Sequence, residues 1–280
     1  MIKLLILGDI GHFDTNLIET INVCKKRTCN QYKIILLGDN FYPDGVSNIH
    51  DKQWENIEYL FKDFDKSHIH SILGNHDYMK NPLCQVNNLY WNTPDIFYKV
   101  NLSHYIDLYF LDTVQLFQGH CGITKDIIQN VHKTHINNLI NNQLNWFIKE
   151  LENNNNKRKI VFGHYPLITN GVYSFHMTPL FNLLMPIFKK YNIDAYISGH
   201  EHNAQYLRRN YDNYIFKQFI VGSSSHSRTG EFINKNSFFN SNSDMYDNTN
   251  NYMIEFVNNG PSIIINFISK DNEIKYSYNI

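Results

Sequence analysis

A chain of 280 residues that is 42% hydrophobic and 18% charged carries enough apolar material for one large, well-cored domain, expected to span residues 1–280. Its formal net charge of -1 leaves no basic field to gather nucleic acid or anionic lipid, so neither is an expected partner. No run approaches the roughly 18 apolar residues of a membrane-crossing helix. The short opening MIKLLILGDI is cut off by Asp9, and Cys24, Cys29, Cys84 and Cys121 match no zinc spacing. The expectation is a soluble intracellular protein, in the cytoplasm or a similar reducing compartment. Its thiols are reduced, with a Cys24–Cys29 disulfide as the alternative.

Leu4 to Leu7 reads as a buried strand that stops at Gly8-Asp9. Asn16 to Lys26 follows as a helix with Leu17, Ile18 and Ile21 on one face, and Lys33 to Leu37 is the next strand. A β-α-β opening of this kind predicts a parallel pair. Gly38 ends the second strand, Asp39 stands at the junction with the loop, Tyr42 follows, and Pro43-Asp44-Gly45 supplies turn chemistry. Lys52 to Phe64 is a helix by the spacing of Trp54, Ile57, Leu60, Phe61 and Phe64, and Ile69 to Leu73 is a strand ending in Gly74-Asn75-His76-Asp77.

Tyr78 to Pro94, rich in Asn, reads as a surface excursion. Tyr105 to Leu111 is a strand stopping at Asp112-Thr113, and Gln118 to Asn138 is weakly patterned, a loop beside the strand ends. Leu139 to Leu151 is an amphipathic helix, and Ile160 to Phe162 leads into Gly163-His164-Tyr165-Pro166. Leu180 to Tyr191 is a helix that Pro186 should kink or interrupt. Ala195 to Ile197 then leads into Ser198-Gly199-His200-Glu201-His202.

Beyond Phe219 to Val221 the texture changes. Ser223 to Asn251 reads as one long polar loop, and Met253 to Phe256, Ile263 to Ile268 and Ile274 to Tyr278 as antiparallel strands. Residues 1–222 are thus α/β and residues 252–280 are β. The expected fold is α/β, with two mixed β-sheets packed face to face and helices outside, a four-layer α/β/β/α sandwich.

One device recurs at the strand ends: an apolar run, a small residue, then Asp, Asn or His. These ends collect Asp9, Asp39, Tyr42, Asn75, His164, His200 and His202. Carboxylate, amide, imidazole and phenol donors suit two transition-metal ions, and Asp39, at the second and central end, is the natural shared carboxylate. Ions about 3.5–4 Å apart can clamp a phosphoryl group and generate a nucleophile from water. Imidazole suits zinc, iron or manganese, and a phenolate favours ferric iron.

At these residues the chain resembles a known family. The blocks GDIG, GDNFY, GNHD, GHYP and GHEH look like the metal motifs of the calcineurin-like metallophosphoesterases. The tyrosine following Asp39 is similar to that of the purple acid phosphatase branch. GDNFYPDGVSN, LGNHDY, FLDTV, FGHYP and SGHEHNAQYL resemble the small, tartrate-resistant type in particular, and the resemblance runs from Leu4 to Val221. The sibling protein Ser/Thr phosphatases need a histidine where this chain has Gly11, and they lack the tyrosine.

The resemblance implies Asp9, Tyr42 and His202 on Fe(3+), and Asn75, His164 and His200 on a divalent partner (Fe2+, Zn2+ or Mn2+), with Asp39 bridging. It implies a metal-dependent acid phosphatase that hydrolyses phosphate monoesters of small molecules or phosphoproteins by in-line attack of a metal-bound hydroxide; a monomer is expected, though the sequence leaves the oligomeric state open. His76 would contact the phosphate or protonate the leaving oxygen, with Asp77 orienting it. The chain also departs from the family. Tyr173 falls where a second substrate-side histidine is usual, and His176 is the candidate to take its place. The family's disulfide has no match, since Cys121 lies near one half and no cysteine stands around Thr178, and a secretory signal is missing. Two other readings share the fold: a non-catalytic scaffold or binding protein, and a phosphodiesterase or nucleotidase with the same metals. His12 reads as an exposed neighbour of the first strand end and Asp112 as a structural hydrogen-bonding group.

Overall fold

A computed structural model of the chain describes residues 1–117, 136–154, 157–174, 177–229, 243–260 and 262–280. It opens with β1 (Ile2–Leu7), α1 (Thr15–Arg27) and β2 (Tyr32–Leu36), and β1 and β2 pair in parallel. The helix starts where the Asp14 carboxylate accepts from the Leu17 N–H at 2.8 Å, and Lys25, Lys26 and Arg27 complement its C-terminal dipole. After α2 (Trp54–Phe61), β3 (Ile69–Ser71) adds in parallel to β2. The tail supplies β11 (Tyr252–Asn259), β12 (Ser262–Ser269) and β13 (Ile274–Asn279), and β11 docks antiparallel on β1. The first sheet therefore runs β13-β12-β11-β1-β2-β3.

The second sheet is built from β4 (Tyr98–Ser103), β5 (Ile106–Phe110), β6 (Arg158–Gly163), β7 (Ala195–Ser198), β8 (Ala204–Tyr211), β9 (Tyr214–Val221) and β10 (Ser243–Asp247). Its order is β10-β8-β9-β7-β6-β5-β4, with β5, β6, β7 and β9 mutually parallel. Helices α3 (Thr113–Phe117), α4 (Ile136–Glu152) and α5 (Thr178–Tyr191) lie on its outer side.

Strand alternation sorts the core into three layers. Leu4, Ile6, Ile35 and Leu37 meet Phe110, Phe162, Ile197 and Phe219 between the sheets. Their neighbours Leu5, Leu7, Ile34 and Leu36 face the other way, against Leu17, Ile21, Trp54 and Leu60 of α1 and α2. On the far side Val161, Tyr196 and Phe216 pack under Phe147 of α4 and Leu184 and Phe188 of α5. This is the expected face-to-face pair of sheets flanked by helices. The carboxyl ends of the parallel strands of both sheets converge on one seam, where open α/β folds hold their ligands.

Several local expectations need correction. The stretch Ser223 to Asn251 is not all loop, because β10 forms within it and pairs antiparallel with β8. The excursion from Tyr78 to Pro94 is anchored rather than superficial: Tyr78, Gln85, Trp91 and Thr93 are buried, and the Trp91 indole donates to the Gln85 carbonyl at 2.7 Å. Helix α5 runs through Pro186 without a break. Pro186 and Asn182, whose carbonyl loses its helical donor, both face solvent, while Leu180, Leu184, Met185 and Phe188 anchor the buried side. Cys24, Cys29 and Cys84 are free thiols, so the Cys24–Cys29 disulfide is not formed, and Cys121 lies outside the described residues. The expected loop Gln118 to Asn138 lies outside them as far as residue 135, and α4 begins at Ile136. No described helix is long and apolar enough to cross a membrane.

Candidate metal centre

Three of the seven predicted ligands sit in the left-handed backbone region, Asp9 at φ 57, Asp39 at φ 52 and His200 at φ 68. Each directly follows a glycine at the end of its strand, so the turn is made by the functional residue itself. The small residue has a packing reason too. A Cβ at Gly74 would come within 2.2 Å of the Asp39 backbone N and carboxylate, and one at Gly199 within 2.6 Å of Asp9 Oδ2. Small residues before the functional ones let the two sheets' strand ends close on each other.

The structure brings all seven together. The Tyr42 hydroxyl lies 3.2 Å from Asp9 Oδ1, 3.1 Å from Asp39 Oδ2 and 3.1 Å from His202 Nε2. Asp39 Oδ1 accepts from the His76 N–H at 2.9 Å, and Asp9 Oδ2 from the His200 N–H at 2.8 Å. His164 Nδ1 is 2.8 Å from the Leu37 carbonyl. A carbonyl can only accept, so Nδ1 carries a proton and Nε2 is the nitrogen turned to the site, 3.1 Å from Asn75 Oδ1 and 3.5 Å from Asp39 Oδ1. Asp39, His164 and His200 each offer a ligand atom, all within 4.8 Å of one another.

The electrostatics call for cations. Asp9 and Asp39 are only 1% and 2% exposed, and ionised carboxylates so buried need a counter-charge. Burial pushes the Asp9 carboxyl up to about 7, against the pull of His164 and with the help of Asp39. Burial and the same two carboxylates hold the Tyr42 phenol well above its ordinary range. Burial also drives His200 well below the usual imidazole range, with His164 and His202 adding to the shift, so its ring is neutral and able to ligate. Two carboxylates, three imidazoles, a phenol and an amide thus face one buried point, and this donor set fits a pair of metal ions.

A cleft of about 490 Å³ opens beside this cluster, lined in part by His12, Phe13, Tyr42, His76 and His202. The His76 Nδ1 is hydrogen-bonded to the Pro43 carbonyl, which leaves Nε2 as the ring nitrogen without a backbone anchor. The orienting group is therefore Pro43 and not Asp77. The buried Asp77 carboxylate instead accepts from the Gly74 N–H at 2.8 Å, the Asn40 N–H at 3.1 Å and the Gln85 amide at 2.9 Å, pinning the loops after β2 and β3 to each other. Asp112 is structural in the same sense: it accepts from the Tyr78 hydroxyl and from the Gln115 N–H. His12 is at the cleft, its ring 4.7 Å from that of Tyr42. His176 lies outside the described residues. Tyr173 is at the site, its ring 4.5 Å from that of His200.

Three residues here were not singled out from sequence. The buried Glu201 carboxylate, between His200 and His202, accepts from Thr169 Oγ1 at 2.9 Å and from the Tyr173 N–H at 3.2 Å. The His226 ring lies 5.8 Å from that of His202, and Arg228 donates its backbone N–H to the His202 carbonyl at 3.0 Å. An acid flanked by two candidate ligands was a signal for Glu201. His226 and Arg228 sit in a polar stretch whose path is set by tertiary packing alone.

A model of the calcineurin-like phosphoesterase family matches residues 2–204. Tartrate-resistant acid phosphatase type 5 of Oryctolagus cuniculus is 32% identical over 216 residues, covering 70% of this chain and 64% of that protein. The enzyme of the same name from Homo sapiens is 33% identical over 191 residues, covering 62% and 56%. The chain thus spans less than two thirds of the length of these relatives. Among solved structures, purple acid phosphatase PPD1 from yellow lupin seeds superposes with a TM-score of 0.76 at 14% identity, over 100% of this chain and 53% of that one. GAP50, the anchor in the inner membrane complex of Plasmodium, does so with a TM-score of 0.75 at 22% identity, over 100% and 88%. At these identities the superpositions speak to fold. With its motif blocks at the ends of β1, β2, β3, β6 and β7, all inside the matched residues, the chain belongs to the calcineurin-like phosphoesterase family.

Proposed function

We propose that this protein is a metal-dependent phosphomonoesterase of the purple acid phosphatase kind, hydrolysing phosphate monoesters at a two-metal centre. The observation that carries this reading is the position of Asp39. Its two oxygens face different donors, Oδ2 the Tyr42 hydroxyl and Oδ1 the His76 N–H and the His164 ring, so one carboxylate touches both halves of the cluster. In this reading Asp9, Tyr42 and His202 hold Fe(3+), Asn75, His164 and His200 hold a divalent ion, and Asp39 is shared. Cations held there would supply a nucleophile from water near neutral pH and would neutralise charge on the phosphoryl oxygens.

The chain's own residues do the rest. Leu37 fixes the His164 tautomer and the Pro43 carbonyl fixes the His76 ring. His76, at the cleft, donates a proton from Nε2 to the leaving oxygen, and the leaving group departs along the cleft. Tyr42 would ligate as the phenolate, so loading the site would release its phenolic proton.

The test is hydrolysis of a chromogenic aryl phosphate from acid to neutral pH by protein loaded with iron and zinc, beside Asp39→Asn. Turnover that vanishes in the variant establishes the phosphatase. No turnover by protein shown to hold two metals would make it a binding scaffold on this fold. A preference for a bis-aryl diester would make it a phosphodiesterase.

A further inference from the structure

The loops on the imidazole side of the centre bring a guanidinium to the candidate ligands. The Tyr173 ring lies 4.5 Å from the His200 ring at an interplanar angle of 35°. Over the Tyr173 ring, 5.1 Å from its centroid, sits the Arg228 guanidinium, whose Nη2 donates to the Tyr173 hydroxyl at 2.9 Å. Tyr173 therefore touches both the candidate ligand His200 and the Arg228 guanidinium.

This arrangement is fastened from below, by the tripeptide His200-Glu201-His202. Glu201 accepts the Tyr173 N–H at 3.2 Å, and the Thr169 hydroxyl donates to the same carboxylate oxygen at 2.9 Å. Residue 171 is glycine because the Glu201 carboxylate lies 2.2 Å from where a Cβ would stand. Arg228 is tied to the next residue, its N–H donating to the His202 carbonyl at 3.0 Å, and its own carbonyl accepts from the Asn248 amide at 3.2 Å. Tyr173 and Arg228 come from loops 55 residues apart, yet both are anchored on the segment that carries two predicted ligands.

A cation–π contact and a hydroxyl bond would stabilise a guanidinium anywhere on the surface, but by little. Here the pair stands beside His200 in a site that must receive a dianion. Arginine keeps its charge at every working pH, and its planar fork matches two oxygens of a phosphoryl group.

We propose that Arg228, aimed by Tyr173, is a phosphate-binding arm that grips the terminal phosphoryl oxygens of the substrate beside His200. The ligand class is a terminal phosphate dianion, esterified or free. The esterified case rests on the phosphomonoesterase reading, whereas the binding of free phosphate does not.

The test compares metal-loaded wild type with Arg228→Gln, Arg228→Lys and Tyr173→Phe. The measurements are kcat and KM for an aryl phosphate, competitive inhibition by inorganic phosphate, and metal content. Hydrogen bonds to charged groups of this kind make Arg228→Gln raise both KM and the phosphate inhibition constant about 10- to 100-fold. Arg228→Lys recovers part of the loss, Tyr173→Phe costs about threefold through looser aim, and metal content stays at the wild-type level. An unchanged phosphate inhibition constant in Arg228→Gln overturns the proposal, and so does a loss of metal that accounts for the weaker binding. If the wild type turns over no ester, the phosphatase reading fails by itself, and calorimetric titration of inorganic phosphate into the loaded wild type and Arg228→Gln decides this one. Weaker binding by the variant supports the arm, while equal binding, or none by the wild type, removes it.

Discussion

The two sheets contribute different chemistry to the seam between them. The first, through the ends of β1, β2 and β3, supplies the oxygen donors Asp9, Asp39, Tyr42 and Asn75. The second, through the ends of β6 and β7, supplies the imidazoles His164, His200 and His202. The polar contacts that organise the cluster cross from one sheet to the other: His164 to the Leu37 carbonyl, the His200 N–H to Asp9, His202 to Tyr42. Neither sheet holds a site alone. The oxygen side carries two buried carboxylates and burial holds His200, on the nitrogen side, neutral, so cations between the sheets would balance the site. Metal affinity and the packing of the sheets are then one free energy seen from two directions.

The largest effect belongs to the residue that serves both halves. Asp39→Asn should release both metals on desalting and cut turnover beyond the roughly 100-fold that losing an outer partner costs. His164→Ala should release one metal and keep the other, and equal loss in both variants would break the division into two half-sites. Next in size is metal removal. At free metal 1,000 times Kd the ligand-linked stabilisation is about 4 kcal/mol. Calorimetry should therefore show the chelated protein melting well below the loaded one, and coincident melting would mean that the sheets pack without regard to the ions.

His76→Ala should lower turnover about 100-fold with metal content intact, as expected for a proton donor at the rim. Parallel loss of metal would place His76 among the structural residues. The smallest effect is a slope. Asp112, after β5, accepts from Tyr78, which follows β3, and burial pushes the Asp112 carboxyl up from 3.8 to about 7. The folded state therefore holds a proton that the unfolded chain has released. The stability this gives is complete below 3.8 and lost as pH rises toward about 7. Asp112→Asn should flatten that part of a urea-midpoint curve against pH, and parallel curves for variant and wild type would remove Asp112 from the account.

The strand ends were legible because their information is local. An apolar run, a glycine and a polar residue in GDIG or GHEH set the strand, the turn and the donor within a few positions. What was not legible depends on partners distant in sequence. The Leu37 carbonyl has no side-chain signature, yet it decides which nitrogen of His164 faces the site. Glu201 and Asp77 act through backbone amides on other loops, those of Tyr173 and Asn40. Strand β10, reading SDMYD, carries no hydrophobic pattern and exists because β8 offers an edge. The β8–β9 hairpin was masked by the polar run Arg208-Arg209-Asn210, while its turn is made by Asp212 at φ 54. Pro186 was read by its local rule and overruled by the buried face of α5.

The left-handed backbone at Asp9, Asp39 and His200 has a consequence for how this protein would drift under selection. A side chain in that region costs on the order of 1 kcal/mol compared with glycine, so the fold bears the cost at three points in order to aim three donors. A population bred only for survival of heat, with metals withheld, should accumulate Gly or Asn at residues 9, 39 and 200 before it improves its core. Without bound ions, thermal robustness and the proposed metal site are competing heritable traits of this scaffold, and the quickest route to a hardier metal-free lineage is one that forgets how to hold its ions.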